Sequence, residues 1–328
     1  MLPNMMKTVE IREFGDADVL QIGSRLLPIP KANEVLIKVE AVGVNGPDLV
    51  QRKGHYPPPV GASDLLGLEV SGSVATCGPD VKRWKTGDLI CGLTNGGGYA
   101  EYVAVEASHC MPIPSGVNIV DAAGIPETYF TVWSNCFFEL SHPENGVFLA
   151  HGGAGGIGST AIQIGTAMGL RVFTSCATDD DAQYCLSLGA EKAINYHTAD
   201  FVEIVRDAGG ANLILDTIGG DYVARNIKAA THDARIVQLA FNKGSKVDLN
   251  LMPVMLKRLI YTGSTLRSRP EIFKSAIAAQ LESEVWPLLA SGKIRTNTHI
   301  VLPFEKASEA HKLMESALHR GKILLVPG

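Results

Sequence analysis

The stretch from Val147 to Gly169 narrows the possible folds of this 328-residue chain more than any other. Val147-Phe148-Leu149-Ala150 is a short apolar run of strand type, and His151-Gly152-Gly153-Ala154-Gly155-Gly156-Ile157-Gly158 is a glycine-rich turn. Ile157, Ala161, Ile164 and Met168 then recur at helical intervals. Gly153, Gly155 and Gly158 satisfy G-x-G-x-x-G, and Gly152, Gly155 and Gly158 satisfy G-x-x-G-x-x-G. Between a strand and a helix, such glycines form a dinucleotide-binding entry. The turn is tight, a pyrophosphate must approach the backbone, and the helix must pack close to its strand. The free N–H groups and positive dipole end of the helix then meet the phosphates. The plainer alternative is a glycine loop joining two core elements.

What flanks this segment sets the domain plan. After it, strands and helices alternate. Arg171–Thr174, Ala193–Tyr196, Leu213–Asp216, Arg235–Leu239 and Leu259–Gly263 read as strands, with helices at Ala182–Leu188, Phe201–Ala208 and Tyr222–Ala230. That alternation predicts a parallel sheet with helices on both faces. Before it, residues 7–118 read as short strands at Val35–Val39, Gly67–Ala75, Asp88–Gly92 and Tyr99–Val105, separated by glycine and proline turns. This pattern predicts a partly open β-barrel or sandwich. A short helix is expected over Asn45–Gly54, and another starts at Asp121 as its cap, breaks at Pro126 and resumes through Thr131, Trp133 and Phe137. Beyond Arg267, a long helical stretch, Glu271–Ser291, precedes strands at Thr298–Leu302 and Lys322–Val326 with the helix Glu305–Glu315 between them. These last strands lack partners in the alternating region and are assigned to the N-terminal barrel. The expected domains are therefore 1–126 with 268–328, and 127–267.

Composition excludes several function classes. A hydrophobic share of 46% with 19% charged residues fits a soluble globular enzyme. A net charge of −5 gives no electrostatic case for nucleic acid or an anionic membrane. No apolar stretch is long and charge-free enough to span a bilayer, and the first residues carry no apolar core of signal-peptide type. The six cysteines are scattered and form no C-x-x-C pair, which suits thiols in a reducing cytoplasm better than a disulfide framework or a zinc cluster.

Several ordered stretches carry a family resemblance. They are Val42-Gly43-Val44-Asn45-Gly46-Pro47-Asp48-Leu49, Gly54-His55-Tyr56-Pro57-Pro58-Pro59, Leu66-Gly67-Leu68-Glu69-Val70-Ser71-Gly72 and Gly96-Gly97-Gly98-Tyr99-Ala100-Glu101-Tyr102. The glycine turn, Asp216-Thr217-Ile218-Gly219-Gly220 and Gly263-Ser264-Thr265-Leu266-Arg267-Ser268-Arg269 continue the series. Over nearly its full length the chain resembles the medium-chain dehydrogenase/reductase superfamily, and within it the zeta-crystallin-type quinone oxidoreductases. The resemblance implies an α/β protein with a GroES-like catalytic domain, a doubly wound Rossmann domain between its two parts, and an active cleft between domains. Zinc alcohol dehydrogenases of the superfamily place a cysteine where Asn45 stands and a histidine where Leu68 stands. Neither residue here is a ligand zinc favours, and Gly92–Gly98 is too short for the structural-zinc lobe, so no metal is expected.

The resemblance also nominates site residues. Asn45 and Tyr56 match positions lining the cleft, where Asn45 donates its amide to an acceptor or carboxamide oxygen and Tyr56 stacks on the acceptor and offers its hydroxyl. The alternatives are a helix cap for Asn45 and a wedge against Pro57–Pro59 for Tyr56. His55 reads as an exposed turn residue, and Asp48 as closing a local turn or salt bridge. Cofactor contacts are expected from Thr131, Gly152, Gly153, Gly155, Gly156, Ile157, Gly158, Ser175, Tyr196, Phe241, Leu266 and Arg267. The alternatives are a helix-interior hydroxyl for Thr131, plain core for Phe241 and Leu266, and a surface ion pair for Arg267. His151 reads as a turn residue. For the coenzyme, the second strand ends without an acid at its tip and Tyr196 matches a tyrosine bordering the 2′-phosphate, which favours NADPH. Asp179-Asp180-Asp181 would repel that phosphate if it faced it, which keeps NADH open, but Thr178 and Asp181 also fit a helix-capping start. The expected reaction is hydride transfer from NADPH to a quinone. The rivals are an enoyl or alkenal reductase, and a crystallin-like or RNA-binding role. A homodimer is expected through the edge strand Leu259–Gly263.

Overall fold

A computed structural model describes residues 2–328. In the N-terminal part, alternating apolar and polar residues give half-buried strands. These are β1 (Met5–Ile11) and β2 (Leu20–Leu26), an antiparallel pair, then β3 (Glu34–Gly43), α1 (Gly46–Arg52), β4 (Glu69–Cys77), β5 (Leu89–Leu93), β6 (Tyr102–Glu106) and β7 (Cys110–Pro112). The strands expected at Val35, Gly67, Asp88 and Tyr99 are β3 to β6. The last begins later than expected because the N–H groups of Tyr99, Ala100 and Glu101 go to Leu66, Gly98 and Lys7 rather than into the ladder. Two helices follow, α2 (Ile119–Ala122) and α3 (Pro126–Cys136). Asp121 does not cap α2. Asn118 does, its side chain accepting from the Asp121 N–H at 2.8 Å, and Asp121 sits inside the first turn, where the helix dipole favours an acid.

The alternating region runs β8 (Val147–His151), α4 (Gly156–Ala167), β9 (Arg171–Cys176), α5 (Asp179–Ser187), β10 (Lys192–Asn195) and α6 (Phe201–Asp207). It continues through β11 (Ala211–Asp216), α7 (Asp221–Ala229), β12 (Ala230–Gln238), α8 (Met252–Leu256) and β13 (Ile260–Gly263). All six strands are parallel, in the order β10-β9-β8-β11-β12-β13. This is the doubly wound Rossmann arrangement, whose order reverses beside β8, the strand that feeds the glycine turn. Leu149, Phe173, Ile194, Ile214 and Ile236 from its strands share a core with Phe201 and Val205 of α6 and Ile227 of α7.

The chain closes with α9 (Glu271–Gln280), α10 (Trp286–Ala290), β14 (Thr298–Pro303), α11 (Ala307–Ser316) and β15 (Lys322–Val326). The expected helical stretch over Glu271–Ser291 runs unbroken to Ala290, but within it Leu281–Val285 widens to the looser i→i+5 turn, just before Pro287, which has no N–H to give. β15 pairs antiparallel with β3 and parallel with β14, so the sheet runs β14-β15-β3-β4-β5-β7, with β6 also on β3. The terminal strands thus join the N-terminal, GroES-like sheet. The chain forms two units, the described residues up to Phe130 with Arg267–Gly328, and Thr131–Leu266. All six cysteines are free, and only Cys77 is not buried. Among the described residues, no helix is long and apolar enough to cross a membrane.

Candidate functional site

Within Thr131–Leu266, the glycine turn has the shape a diphosphate needs. A Cβ on Gly153 would fall on the Thr174 side chain and lie 2.8 Å from Cys185 Sγ, and one on Gly158 would fall on the Gly152 carbonyl. These two glycines let the turn close on its own strand and helix. Gly155 is different: a Cβ there would meet nothing nearer than the Gly152 carbonyl at 3.6 Å. Its bare backbone, at the N-cap of α4, adjoins open space rather than protein. Tight first glycine, open second and tightly packed third are the three roles of a pyrophosphate loop, and Gly156 and Ile157 add the unpaired N–H groups every helix start leaves. The residues therefore fit a dinucleotide.

Around the loop, several expectations change. His151 is not a turn residue but the buried end of β8. Its Nε2 is 2.8 Å from Asn226 Oδ1, which must accept because Asn226 Nδ2 donates to Asp216. That leaves His151 Nδ1 accepting from the Ser175 hydroxyl at 2.8 Å. Burial holds the imidazole pKa below its ordinary value, in keeping with this neutral tautomer. Ser175 therefore points into this network and does not present its hydroxyl to a ligand. Tyr196 follows β10 and is 39% exposed, and Phe241 is 45% exposed and so is not core, while Leu266 is buried. Thr131 lies in α3, and its hydroxyl bonds to no other group among the described residues, whereas Thr128 bonds back to Gly124 and Ile125. Thr178 caps α5 by accepting from the Asp181 N–H at 3.1 Å, and Asp179 is held by Asn195 Nδ2 at 2.8 Å.

The other unit holds a polar cluster that sheet register assembles. β15 meets β3 at Leu324–Gly43, which brings Lys322 to the end of β3, and β4 supplies Glu69. Lys322 Nζ is 2.7 Å from Glu69 Oε1 and donates to Asn45 Oδ1 at 2.6 Å. Asn45 Nδ2 donates to Glu69 at 2.8 Å. Asn45 does occupy the N-cap of α1, with Asp48 three residues on taking its N–H, but its side-chain amide is not a donor aimed outward. Its amide bridges a buried ion pair, while the Asp48 carboxylate takes the Asn45 and Gly67 N–H groups at 2.8 and 3.0 Å. Burial pushes the Asp48 pKa up to about 6 against these two hydrogen bonds.

Tyr56 is half-buried, and its hydroxyl bonds to no other group among the described residues. The Arg267 guanidinium lies 5.3 Å from its ring centroid. Among the described residues Arg267 makes no ion pair, at the surface or elsewhere. It is buried, donating to Gln51 at 2.8 Å and twice to the Asn95 carbonyl at 3.0 and 2.7 Å. Lys274 donates to Asn95 Oδ1 at 2.7 Å and the Arg267 carbonyl at 2.8 Å, and burial lowers its pKa to about 8. His55 is exposed, as expected. A cavity of about 470 Å³ lies in this unit too, lined by Ile29, Val60, Ser63, Asn95 and His109 among others, but neither Asn45 nor Tyr56 borders it.

Zinc does not fit here. Leu68 is a buried hydrocarbon, Asn45 offers an amide already bonded twice, and a metal cation would have to sit beside the Lys322 ammonium. Among the described residues, no group of three or more His, Cys, Asp or Glu side chains is placed to hold a metal.

Comparison with known proteins agrees with both units. Residues 31–115 match the family described as alcohol dehydrogenase GroES-like domain, and residues 156–282 the family described as zinc-binding dehydrogenase. Mouse (Mus musculus) quinone oxidoreductase is 26% identical over 98% of each chain. The structure of Escherichia coli quinone oxidoreductase complexed with NADPH matches with a TM-score of 0.86 and 26% identity, covering 98% of this chain and 100% of that one. The structure of CurK enoyl reductase matches with a TM-score of 0.84 and 25% identity, covering 99% and 98%.

Proposed function

The chain is an oxidoreductase of the medium-chain dehydrogenase/reductase superfamily, and from that premise we propose that it reduces a quinone with NADPH and without a bound metal. The observation that carries this reading is the Asn45–Glu69–Lys322 cluster. An amide and a hydrocarbon, Asn45 and Leu68, stand where a zinc relative needs ligands, and the Lys322 ammonium lies against that amide, so in this reading the acceptor takes hydride without a Lewis acid. Quinones do so readily.

The nicotinamide, when bound, supplies the hydride. The chain's own residues do the rest. Gly152, Gly153, Gly155, Gly156, Ile157 and Gly158 seat the diphosphate on bare backbone and the start of α4. The free Thr131 hydroxyl is assigned to the nicotinamide end, and Phe241 and Leu266 to apolar contact with the coenzyme. Tyr56 offers a ring face and a free hydroxyl to a flat acceptor, stiffened by Arg267. Asn45 acts one step back, holding Glu69 and Lys322 in place. The tip of β9 lacks an acid, Asn195 pins Asp179, and exposed Tyr196 is available to a 2′-phosphate, all of which favours NADPH over NADH. Six free thiols suit a reducing cytoplasm.

The second reading, reduction of a C=C bond, is favoured by the likeness to CurK enoyl reductase. Coenzyme oxidation followed at the nicotinamide absorbance separates the two. A higher kcat/KM is expected with simple quinones than with enals or enoyl thioesters, and turnover with C=C acceptors alone would replace the quinone reading with the second.

A further inference from the structure

We infer that Glu127 delivers the proton that must accompany hydride uptake by the acceptor. The inference rests on the quinone-reductase reading above. Hydride addition to one carbonyl of a quinone leaves an oxygen anion that is one proton short of the hydroquinone. In the inferred step the Glu127 O–H bond breaks and a new O–H bond forms on that anion. Glu127 is left as a carboxylate, which water then reprotonates.

Geometry singles this side chain out. Glu127 is the second residue of α3, and its N–H is taken by Glu69 Oε2 at 2.8 Å, so the favourable field of the helix start acts on Glu69. The titratable and charged groups facing Glu127 come from every element around it. They are Asp48 of α1, Tyr56 after α1, Glu69 of β4, Arg267 before α9, Lys274 within α9, and Lys322 of β15. Nearly all are committed. Asp48 holds two N–H groups, Glu69 and Lys322 hold each other and Asn45, and Lys274 and Arg267 are fixed on Asn95. The Glu127 carboxyl and the Tyr56 hydroxyl are the exceptions. Neither is hydrogen-bonded to any described residue, both keep partial exposure, and they lie within electrostatic reach of each other. A free acid thus lies within electrostatic reach of the ring assigned to the acceptor.

The charge pattern suits an acid that must release its proton and take it back. Burial and the negative charge of Glu69 raise the Glu127 pKa to about 8, with Asp48 adding to the rise. Lys322 and Lys274 oppose it and remain to stabilise the carboxylate once the proton has left. The carboxyl is therefore protonated at neutral pH, near the value at which general acids work best. Tyr56 is the poorer acid, since burial and then Glu127 raise its pKa above the ordinary phenol value.

The test is steady-state reduction of a series of quinones by the NADPH-loaded enzyme, comparing wild type with Glu127→Gln, Glu127→Asp and Lys274→Met. Wild-type kcat should fall as pH rises through about 8, because the acid form is lost. Glu127→Gln should lower kcat about a hundredfold and abolish that alkaline limb, with NADPH affinity, read by fluorescence titration, little changed. Glu127→Asp should recover part of the rate with its limb displaced. The loss should shrink for electron-poor quinones, whose reduced anions need a proton least. A Glu127→Gln enzyme with wild-type kcat and pH profile overturns the inference. So does an alkaline limb that survives in Glu127→Gln and disappears in Lys274→Met, or, should the Gln variant not fold, an Asp variant with an unshifted limb. Failure of the unmodified enzyme to reduce any quinone is a separate result, which removes the quinone reading and this inference with it.

Discussion

Lys322 reaches Asn45 across 277 positions of sequence, and that distance explains what could be read from residues alone. Asn45 stood out because it replaces a ligand type. Glu69, Lys322, Lys274 and Glu127 did not, because only the register of β15 on β3 and of β3 on β4 brings them together. The same holds for Ser175 and His151, each visible near the glycine turn but bonded inward for reasons that lie in α7 and β11. Removing one partner of a buried pair leaves the other charge uncompensated. Lys322→Met should therefore cost about 3–5 kcal/mol in urea unfolding, whereas a loss within error would mean the ion pair contributes little. A second buried network makes a smaller prediction. Arg52 Nη1 faces His311 Nδ1 at 3.2 Å and can only donate, so His311 Nε2–H donates to the Tyr99 hydroxyl at 2.9 Å. Tyr99→Phe should cost about 1–3 kcal/mol by stranding that donor.

At the scale of elements, the alternating half of the chain was legible and its exceptions are instructive. A parallel strand buried on both faces reads as an apolar run, and β8, β9, β11 and the Arg235–Gln238 end of β12 all did, whereas the exposed, polar start of β12 did not. The hairpin partner β2 and the helix α8 did not. β2 is mostly solvent-facing, and Met252 and Met255 of α8 are exposed, so neither has the periodicity that one-sided burial imposes. The glycine turn gives the sharpest test at this scale. Gly155→Ala should fold normally, since φ is −75° and the nearest atom to a new Cβ is 3.6 Å away, yet weaken NADPH binding by about tenfold or more, or about 1.4 kcal/mol. Gly158→Ala should lower the melting temperature as well, because its Cβ falls on the Gly152 carbonyl and 2.6 Å from Gly153 Cα. Equal NADPH affinity in Gly155→Ala would mean the phosphates bind elsewhere. The acids opening α5 are tested by Asp181→Lys, which should tighten NADPH more than NADH if that helix start borders the 2′-phosphate.

For the whole molecule, two properties follow from surfaces and charge. β13 is an open sheet edge, and beside it Leu251, Met252, Met255, Leu256 and Ile260 are each more than half exposed. An apolar edge of this kind is a liability in a monomer and a template for a second copy. Sedimentation should give twice 35.0 kDa, and Met255→Asp should shift it toward the monomer, whereas a wild-type monomer at micromolar concentration would refute the dimer. Glu127 should contribute a dependence of stability on pH. Its folded pKa is raised from 4.5 to about 8, so the folded state holds the extra proton in that window and wild-type stability falls as pH rises across it. Glu127→Gln does not titrate, and its stability relative to wild type should climb over the same range. His311 and His109 act in the opposite sense, being held neutral to about 3 and about 4 by burial, so they withdraw stability as pH falls below their ordinary 6.5.

The central claim, metal-free reduction of a quinone by NADPH, is met most directly by one rate. Protein stripped of metal by a chelator and desalted should oxidise NADPH in the presence of a quinone as fast as untreated protein, and more slowly when the transferred hydrogen of NADPH is deuterium. Loss of that rate on stripping, with recovery on adding zinc, would contradict the account.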